Sequence, residues 1–344
     1  DEPRNAGCTV EMLARGDFVT PVFDGELRTH KPILLYWFMM SAYALFGVNE
    51  FSARFWSAAL GVGTAWLTYG IGVRLFSAQV GLWAAIILVT TLMFDVAGRA
   101  ATPDSVLIFW STAAIFVYVW GTFPRTSHDD IADGATPLFP KWPIAVLMYA
   151  MMGMAVLAKG PVGFVLPTAI IGMYLLLQRL PQKATDSRRG SVHLLAKMLQ
   201  PFAPRHFLST CWLMRPITAV VVVLLVALPW YVAVGMRTDG AWIRGFLLDH
   251  NLRRAAQPLE GHNGSFLFYP LALLVGFFPW SVFAVPTWLE AWRRLRSSDG
   301  KSPGYKLAVC WIGVYVVLFS LAKTKLPSYI TPCYPAVAML VASY

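Results

Sequence analysis

The stretch ITAVVVVLLVALPWYVAVG, residues 217–235, sets the fold class of this chain. It holds no charged residue and has the length, roughly 20 mostly apolar residues, that an α-helix needs to cross a bilayer. The composition agrees, because 57% of the 344 residues are hydrophobic and only 13% are charged, whereas a soluble domain carries about 25% charged residues. These figures exclude a soluble enzyme, a coiled coil and a disordered tail. They predict an all-α polytopic membrane protein.

Apolar runs of similar length recur along the chain and predict nine membrane-spanning helices. The runs are 55–73, 79–97, 105–123, 143–158, 161–178, 217–235, 267–288, 306–322 and 329–344. The shorter, aromatic-rich run 33–47 is interpreted as an interfacial or re-entrant helix, and the polar residues 1–32 as an extramembrane loop. We expect one transmembrane domain over 1–344, with 1–54 as a large first periplasmic loop that includes helix 33–47.

The chain begins without Met and stops inside an apolar run. We therefore expect it to be a fragment whose first helix and C-terminal part lie outside it.

The distribution of Lys and Arg predicts which loops face the cytoplasm. The net charge of +10 reflects cationic loops at the membrane ends and does not indicate nucleic-acid binding. Loops 179–216 and 289–306 are rich in Arg and Lys, so the positive-inside rule places both in the cytoplasm. Alternating spans then put five segments on the opposite face. They are 1–32, 98–104, 159–160, 236–266 and 323–328.

These five segments carry both acidic and basic residues, although the outer face of a membrane protein is normally poor in cations. Ionisable residues held in or close to the membrane cost free energy, and they usually mark a functional site. Two carboxylates, Asp1 and Asp104, are the candidates for catalysis. The simpler interpretations are a solvated loop acid for Asp1 and an acid favoured by the start of a helix for Asp104, which follows Pro103.

The cations on the same face suit a phosphate group. Arg4, Lys31, Lys159 and Arg253 are all predicted to lie there, and Arg and Lys at a membrane interface bind lipid phosphates through charge-assisted hydrogen bonds. The simpler interpretation of each is a side chain that extends towards the lipid headgroups. Lys159 fits it least, because it interrupts an apolar hairpin in which Gly160 and Pro161 already form the turn.

Histidines and nucleotide-binding motifs give weaker signals. His30, His250 and His262 fall on the outer face and are possible zinc ligands, but the sequence has no H-x-x-x-H or H-E-x-x-H spacing. No Walker motif, G-x-G-x-x-G sequence or nucleophile elbow is present. The sequence therefore gives no support to ATP-driven transport or nucleotide-sugar binding.

A series of motifs along the chain resembles the bacterial 4-amino-4-deoxy-L-arabinose lipid A transferases. These are D-E-P-R, G-D-F-V-T-P, H-K-P-I-L-L-Y-W, F-G-V-N-E-F-S-A-R, T-P-D-S, A-K-G-P-V-G-F-V-L-P and K-T-K-L-P-S-Y-I-T-P. The wider family includes the protein O-mannosyltransferases and has the GT-C glycosyltransferase fold. The resemblance covers essentially the whole chain and corresponds to the family's membrane domain.

The resemblance implies roles for particular residues. Asp1 and Asp104 match the functionally critical carboxylates, while Arg4, Lys31 and Tyr329 match contacts to the donor phosphate. Lys159 and Arg253 are placed in the same phosphate-binding set. The family commonly has a metal-binding Glu immediately before the lysine, where this sequence has His30. A structural zinc ion is therefore expected to use His30 and His250.

The implied reaction moves a sugar from a polyprenyl-phosphate donor to a lipid A-like, glycan or protein acceptor at the periplasmic face of the bacterial inner membrane. Membrane lipids are the other expected partners, nucleic acid is not one, and the chemistry requires no cofactor. The competing class is a secondary transporter or flippase, which would place charges near the midplane in broken helices related by inverted repeats. The sequence shows its charges at one face and no repeat. An inactive lipid-binding relative is a third alternative.

Overall fold

The computed structural model describes residues 2–123, 138–180, 200–252, 267–296 and 302–344, with only the backbone for 249–252. Its first half contains α1 (Glu2–Arg15), β1 (Val22–Phe23), β2 (Glu26–Leu27), α2 (Leu34–Phe46), α3 (Glu50–Leu75), α4 (Ala78–Val89), α5 (Leu92–Arg99), α6 (Pro103–Thr122), α7 (Trp142–Lys159) and α8 (Val162–Gln178). Its second half contains α9 (Pro204–Leu213), α10 (Pro216–Arg237), α11 (Ala241–Arg244), a π-helix (Gly245–Leu252), α12 (Phe268–Gly276), α13 (Ala284–Arg296), α14 (Ser302–Leu321) and α15 (Tyr334–Ala342). Short 3₁₀ helices cover Gln200–Phe202, Trp280–Phe283 and Pro327–Cys333.

Four of the described helices are long and apolar enough to cross a membrane. They are α6, α7, α10 and α14, and all four coincide with predicted spans. Two bent helix pairs raise the number to six when each pair is counted as one span. The described residues therefore support four to six of the nine predicted spans, and α8, in the predicted span 161–178, has 17 residues, just under the 18 of the shortest of the four.

The predicted spans 79–97 and 267–288 are both broken. Helices α4 and α5 meet at 67°, and α12 meets the segment Trp280–Arg296 at 119°. At the first break the hydroxyls of Thr90 and Thr91 donate to the carbonyls of Ile86 and Ile87, a local bond that competes with continuation of the helix. At the second break Pro279 has no amide hydrogen to continue the helical ladder. These polar and proline residues are short interruptions that hydropathy averaging does not detect.

The predicted loop 1–32 contains a regular helix and a two-stranded hairpin. Helix α1 buries Asn5, Cys8, Thr9 and Met12, and the hairpin pairs Val22 with Leu27 in an antiparallel register. Half of these buried residues are polar, so the sequence of α1 does not show the apolar stripe that is typical of a packed helix. Helix α2 matches the predicted helix 33–47, whereas α3 begins at Glu50, inside the predicted loop 1–54.

Two hydrophobic clusters position these elements. The larger fills the space among α4–α8, α10, α14 and α15. The second joins α1 and α2 to α3, α6, α7 and α10, and includes Trp230, Trp242 and Phe246. The first segment of the chain therefore packs as part of the helical bundle, and its polar face is held at the same end as the start of α6 and the end of α7.

Gly163 is the tightest point of the α7–α8 hairpin. A Cβ atom there would lie 2.6 Å from the Val156 amide nitrogen and closer still to the Ala155 carbonyl. Gly163→Ala should therefore destabilise the protein by about 2 kcal/mol through overpacking. Gly313→Ala is the matched control, because nothing lies within 4 Å of its Cβ. Thermal unfolding of both variants in detergent tests this, and equal melting temperatures would contradict it.

Candidate active site

An ion pair between Asp104 and Lys159 lies at the centre of the candidate site. The two side chains are only 19% and 14% exposed. Asp104 lies in the first turn of α6, where Pro103 occupies the helix start and the helix dipole favours a carboxylate. Lys159 is the last residue of α7, which Gly160 ends with a φ of 79°. The start of one helix and the end of the next thus bring opposite charges together.

An aromatic ring and a second cation adjoin this pair. The Lys159 ammonium lies 5.3 Å from the centre of the Tyr329 ring, within the range of a cation–π interaction. Tyr329 belongs to the 3₁₀ helix Pro327–Cys333, and its ring packs 5.1 Å from that of Phe319. Lys31 lies close enough to Asp104 to interact with it electrostatically. Three of the predicted site residues are therefore grouped around Asp104.

Contacts join the first four of the five segments predicted to share one face, and Lys159 contacts a residue next to the fifth. Glu2 of the first segment bonds to Ala101 of the second, and Asp104 then pairs with Lys159 of the third. Asp17 pairs with Arg237 of the fourth segment at 2.8 Å, and Tyr329 directly follows the fifth. These contacts bring described parts of the segments together, and their shared membrane face and common site stay predictions.

The predicted site also includes Asp1, Arg4, Arg253 and His250. Asp1 and Arg253 lie outside the described residues, as does the side chain of His250. Arg4 is exposed on α1 and makes no ion pair with a described residue. The roles given to all the predicted site residues, including the four grouped above, stay predictions.

The zinc site also stays a prediction. The ring nitrogen Nδ1 of His30 is buried. His30 directly precedes Lys31 in the sequence. Within the described ranges no group of three or more His, Cys, Asp or Glu side chains is arranged to hold a metal ion. The described residues alone therefore do not form a set of metal ligands.

Sequence reasoning missed a polar network beside the site. One carboxylate oxygen of Glu2 accepts hydrogen bonds from Nε of Arg54 at 2.5 Å and from the Ala101 amide at 3.2 Å. The amide nitrogen of Asn5 donates to the Ala101 carbonyl at 3.0 Å. Both polar groups of the Ala101 backbone are thus bound by α1, three residues before Asp104.

Arg28 anchors this network in the protein interior. Its side chain is 5% exposed and donates to Oδ1 of Asn5 at 2.9 Å and to the Tyr36 hydroxyl at 3.1 Å. The indole of Trp242 donates to its carbonyl at 2.9 Å. Arg28 lies in the polar sequence G-E-L-R-T, where no pattern distinguishes a buried arginine from a solvated one. Within this network only Glu2, in the D-E-P-R motif, and Arg54, in the F-S-A-R motif, had a sequence signal.

Comparison with known proteins identifies relatives of the whole chain. The profile of the dolichyl-phosphate-mannose-protein mannosyltransferase family matches residues 6–243. An uncharacterised protein of Aquifex aeolicus is 29% identical over 343 residues, which are 98% of this chain and 58% of that protein. The undecaprenyl phosphate-alpha-4-amino-4-deoxy-L-arabinose arabinosyl transferase of Pectobacterium carotovorum is 29% identical over 345 residues, 100% of this chain and 54% of its own length. The chain therefore spans somewhat more than half the length of these relatives.

Solved structures show the same fold. ArnT from Cupriavidus metallidurans bound to undecaprenyl phosphate matches with a TM-score of 0.76 and 24% identity, over 99% of this chain and 55% of that one. An oligosaccharyltransferase from Archaeoglobus fulgidus matches with a TM-score of 0.58 and 14% identity, over 99% of this chain and 46% of that one. The predicted all-α membrane fold of the GT-C type is confirmed.

The pKa of Glu2 provides a test of the network around Ala101. Burial alone would raise this pKa, but the hydrogen bonds from Arg54 and Ala101 outweigh it and hold the pKa below its ordinary value of 4.5. A depressed carboxylate pKa stabilises the fold above the ordinary value, and this contribution is lost as the pH falls below it. Glu2→Gln should therefore remove part of the acid sensitivity of the melting temperature. Glu50→Gln, a variant at a 92% exposed acid that also faces Arg54, should leave it unchanged.

The ion pair itself can be tested by a double-mutant cycle. Lys159→Met leaves Asp104 without its main partner in a mostly buried position and should cost about 3 kcal/mol of stability. The double variant Asp104→Asn/Lys159→Met should cost less than the two single variants together, because neither partner is then left as an unpaired charge. Additive losses in thermal or denaturant unfolding would show that the two side chains do not depend on each other.

Proposed function

Because the chain belongs to the dolichyl-phosphate-mannose-protein mannosyltransferase family, we propose that it is the membrane domain of a glycosyltransferase that uses a polyprenyl-phosphate sugar. The chain is a multi-pass membrane protein. The donor tail would lie in the bilayer, with the phosphate at the end of the bundle where Asp104 and Lys159 meet. We further assign this end to the periplasmic face of a bacterial inner membrane, on the basis of the cationic loops predicted at the other end.

The observation that carries this proposal is the grouping of Asp104, Lys159, Lys31 and Tyr329. Two ammonium groups exceed the single carboxylate, so the described part of the site has an excess of positive charge that suits a phosphate. A tyrosine hydroxyl adds a neutral hydrogen-bond donor. Apolar helices lead directly to these groups, which matches a ligand with a lipid tail and an anionic head.

The proposed reaction is a displacement at the anomeric carbon of the sugar. An oxygen of the acceptor forms the new C–O bond while the C–O bond to the phosphate breaks, and the polyprenyl phosphate leaves with the electron pair. Lys31 and Lys159 stabilise the negative charge that grows on the leaving phosphate, with Arg4 and Arg253 as further candidates. The glycosyl phosphate linkage supplies the driving force, so no nucleotide is consumed.

The carboxylates act on the acceptor. When the acceptor is a hydroxyl, Asp104 or Asp1 takes its proton as a general base. When it is a phosphate of a lipid A-like molecule, no strong base is needed and the carboxylates orient the substrates. The ion pair with Lys159 occupies the Asp104 carboxylate until a donor phosphate competes for the ammonium. Binding of the donor phosphate to Lys159 would thus free the Asp104 carboxylate to act on the acceptor.

The substrates that we propose follow from the relatives named arabinosyl transferases. We propose an undecaprenyl-phosphate-linked sugar as donor and a lipid A-like molecule as acceptor, with a glycan or a protein as the alternatives.

A transporter is the competing function, and the broken helices are the feature that would suit it. The two breaks, however, bind each other through uncharged groups. The Leu92 amide donates to the Phe278 carbonyl at 3.0 Å, and the Trp280 indole donates to the Thr90 hydroxyl at 2.8 Å. The charged side chains of the candidate site lie at helix ends, which favours a transferase.

Turnover of a defined donor tests the proposal. Full-length protein is incubated with undecaprenyl-phosphate 4-amino-4-deoxy-L-arabinose and lipid A, and the products are measured by mass spectrometry. Asp104→Asn should remove most turnover while donor binding is retained. Asp95→Asn, at an exposed acid paired with Arg99, is the control. Normal turnover by Asp104→Asn would overturn the assignment of this carboxylate.

Lys31→Ala should act mainly on donor binding. Loss of a charged contact to phosphate costs about 2 kcal/mol, or roughly a 30-fold weaker Kd. Lys306→Ala is the matched control, because Lys306 lies in the first turns of α14, away from the end that leads to Tyr329, and bonds to Gln178. Binding of undecaprenyl phosphate measured by quenching of intrinsic tryptophan fluorescence gives both constants, and equal values for the two variants would contradict this role.

A further inference from the structure

Ala101 lies between α5 and α6 and is completely buried. Such a connecting residue lacks the regular main-chain partners of a helix, yet buried amide and carbonyl groups need partners. Glu2 accepts from the Ala101 amide, and Asn5 donates to its carbonyl. We call Glu2, Asn5 and the Ala101 peptide groups the Ala101 clamp. Through it, α1 fixes the chain only three residues before Asp104.

Arg28 determines which way the Asn5 amide points. A guanidinium group has only donors, so the Asn5 atom that faces it must be the oxygen. The Asn5 nitrogen is thereby directed at the Ala101 carbonyl. Asn5 is 1% exposed, so water does not compete for either contact. The orientation of one side chain thus couples a buried arginine of the first segment to the backbone before α6.

The clamp has two arms on one helix. Glu2 and Asn5 are three residues apart on α1 and therefore share a face. Each arm is itself held by an arginine, since Arg54 of α3 binds Glu2 and Arg28 binds Asn5. Two parts of the protein, through Glu2 and Asn5, thus bind the two peptide groups on either side of the Ala101 Cα atom. Each of the two polar groups of Ala101 thus has a partner on α1, and each partner is held in turn by an arginine.

We propose that Asn5, oriented by Arg28, is a positioning residue for Asp104. It holds the 101–104 backbone so that the Asp104 carboxylate faces Lys159 and the donor phosphate. The expected effect on catalysis rests on the proposed transferase function. The fixing of Ala101 by Asn5 and Arg28 rests on the contacts alone. Displacement of a reacting group by about 1 Å can lower a rate by about 100-fold, so a looser clamp should reduce kcat more than it changes donor binding.

Asn5→Asp is the principal test. The aspartate keeps an acceptor for Arg28 but loses the donor to the Ala101 carbonyl. Asn5→Ala is measured in parallel, because it removes both contacts without adding a charge beside that carbonyl. Thr9→Val is the matched control. Thr9 is also fully buried on α1, and its hydroxyl donates to the Asn5 carbonyl without touching Ala101.

Two readouts separate the geometry from the function. Hydrogen–deuterium exchange of the peptide covering 99–105 should be faster in both Asn5 variants than in wild type and Thr9→Val. With undecaprenyl-phosphate 4-amino-4-deoxy-L-arabinose and lipid A as substrates, kcat should fall on the order of 10-fold or more in the Asn5 variants. The KM for the donor should change less than about threefold, since Lys31 and Lys159 are retained.

The outcomes are distinct. Unchanged exchange over 99–105 in both Asn5 variants would overturn the clamp, whatever the activity. Faster exchange with unchanged kcat would overturn the positioning role, and so would an equal loss of kcat in Thr9→Val. Faster exchange in a protein whose wild type transfers no sugar would refute the proposed function while the clamp stands.

Discussion

Burial of the Arg28 guanidinium is the constraint on which the first part of the structure depends. A buried charge is costly unless its hydrogen-bonding groups are satisfied, and Arg28 finds partners on several elements. Asn5 comes from α1 and Tyr36 from α2, while the Arg28 carbonyl accepts from Trp242 in α11. These elements must therefore come together for the arginine to be buried at all. A segment that looks like a polar loop is in this way fixed onto the membrane-spanning helices.

The site follows from where helices start and stop. Asp104 begins α6 and Lys159 ends α7, and a left-handed Gly160 stops α7 at that point. A Cβ on Gly160 would lie 3.0 Å from Cε1 of the Phe246 ring and closer to the ring's far edge. The π-helix thus packs directly on the turn that carries the lysine. Because Asp104 and Lys159 lie at the ends of packed helices, the packing of α6 and α7 sets their positions, and no loop is needed to do so.

Apolar runs were sufficient to predict α6, α7, α10 and α14, because nothing but membrane burial requires so many consecutive apolar residues. Charged residues at the ends of such runs were equally visible, which is why Asp104 and Lys159 were identified. Asn5 was not, since a neutral amide in a polar segment has no distinguishing pattern. Its importance depends on the burial of Arg28 and the position of Ala101, and both are products of the tertiary structure.

The paired helix breaks have a consequence for how the protein is made. Polar backbone groups in a bilayer must find partners within the protein, and the Leu92 amide at the first break donates to the Phe278 carbonyl at the second, 186 residues later in the chain. A nascent chain reaches the first break long before the second has been synthesised. We therefore expect the Leu92 amide to bond to water, lipid headgroups or another temporary partner until Phe278 has been synthesised. Insertion of this protein is then a non-sequential process, in which an early span becomes final only after a late one has entered the membrane.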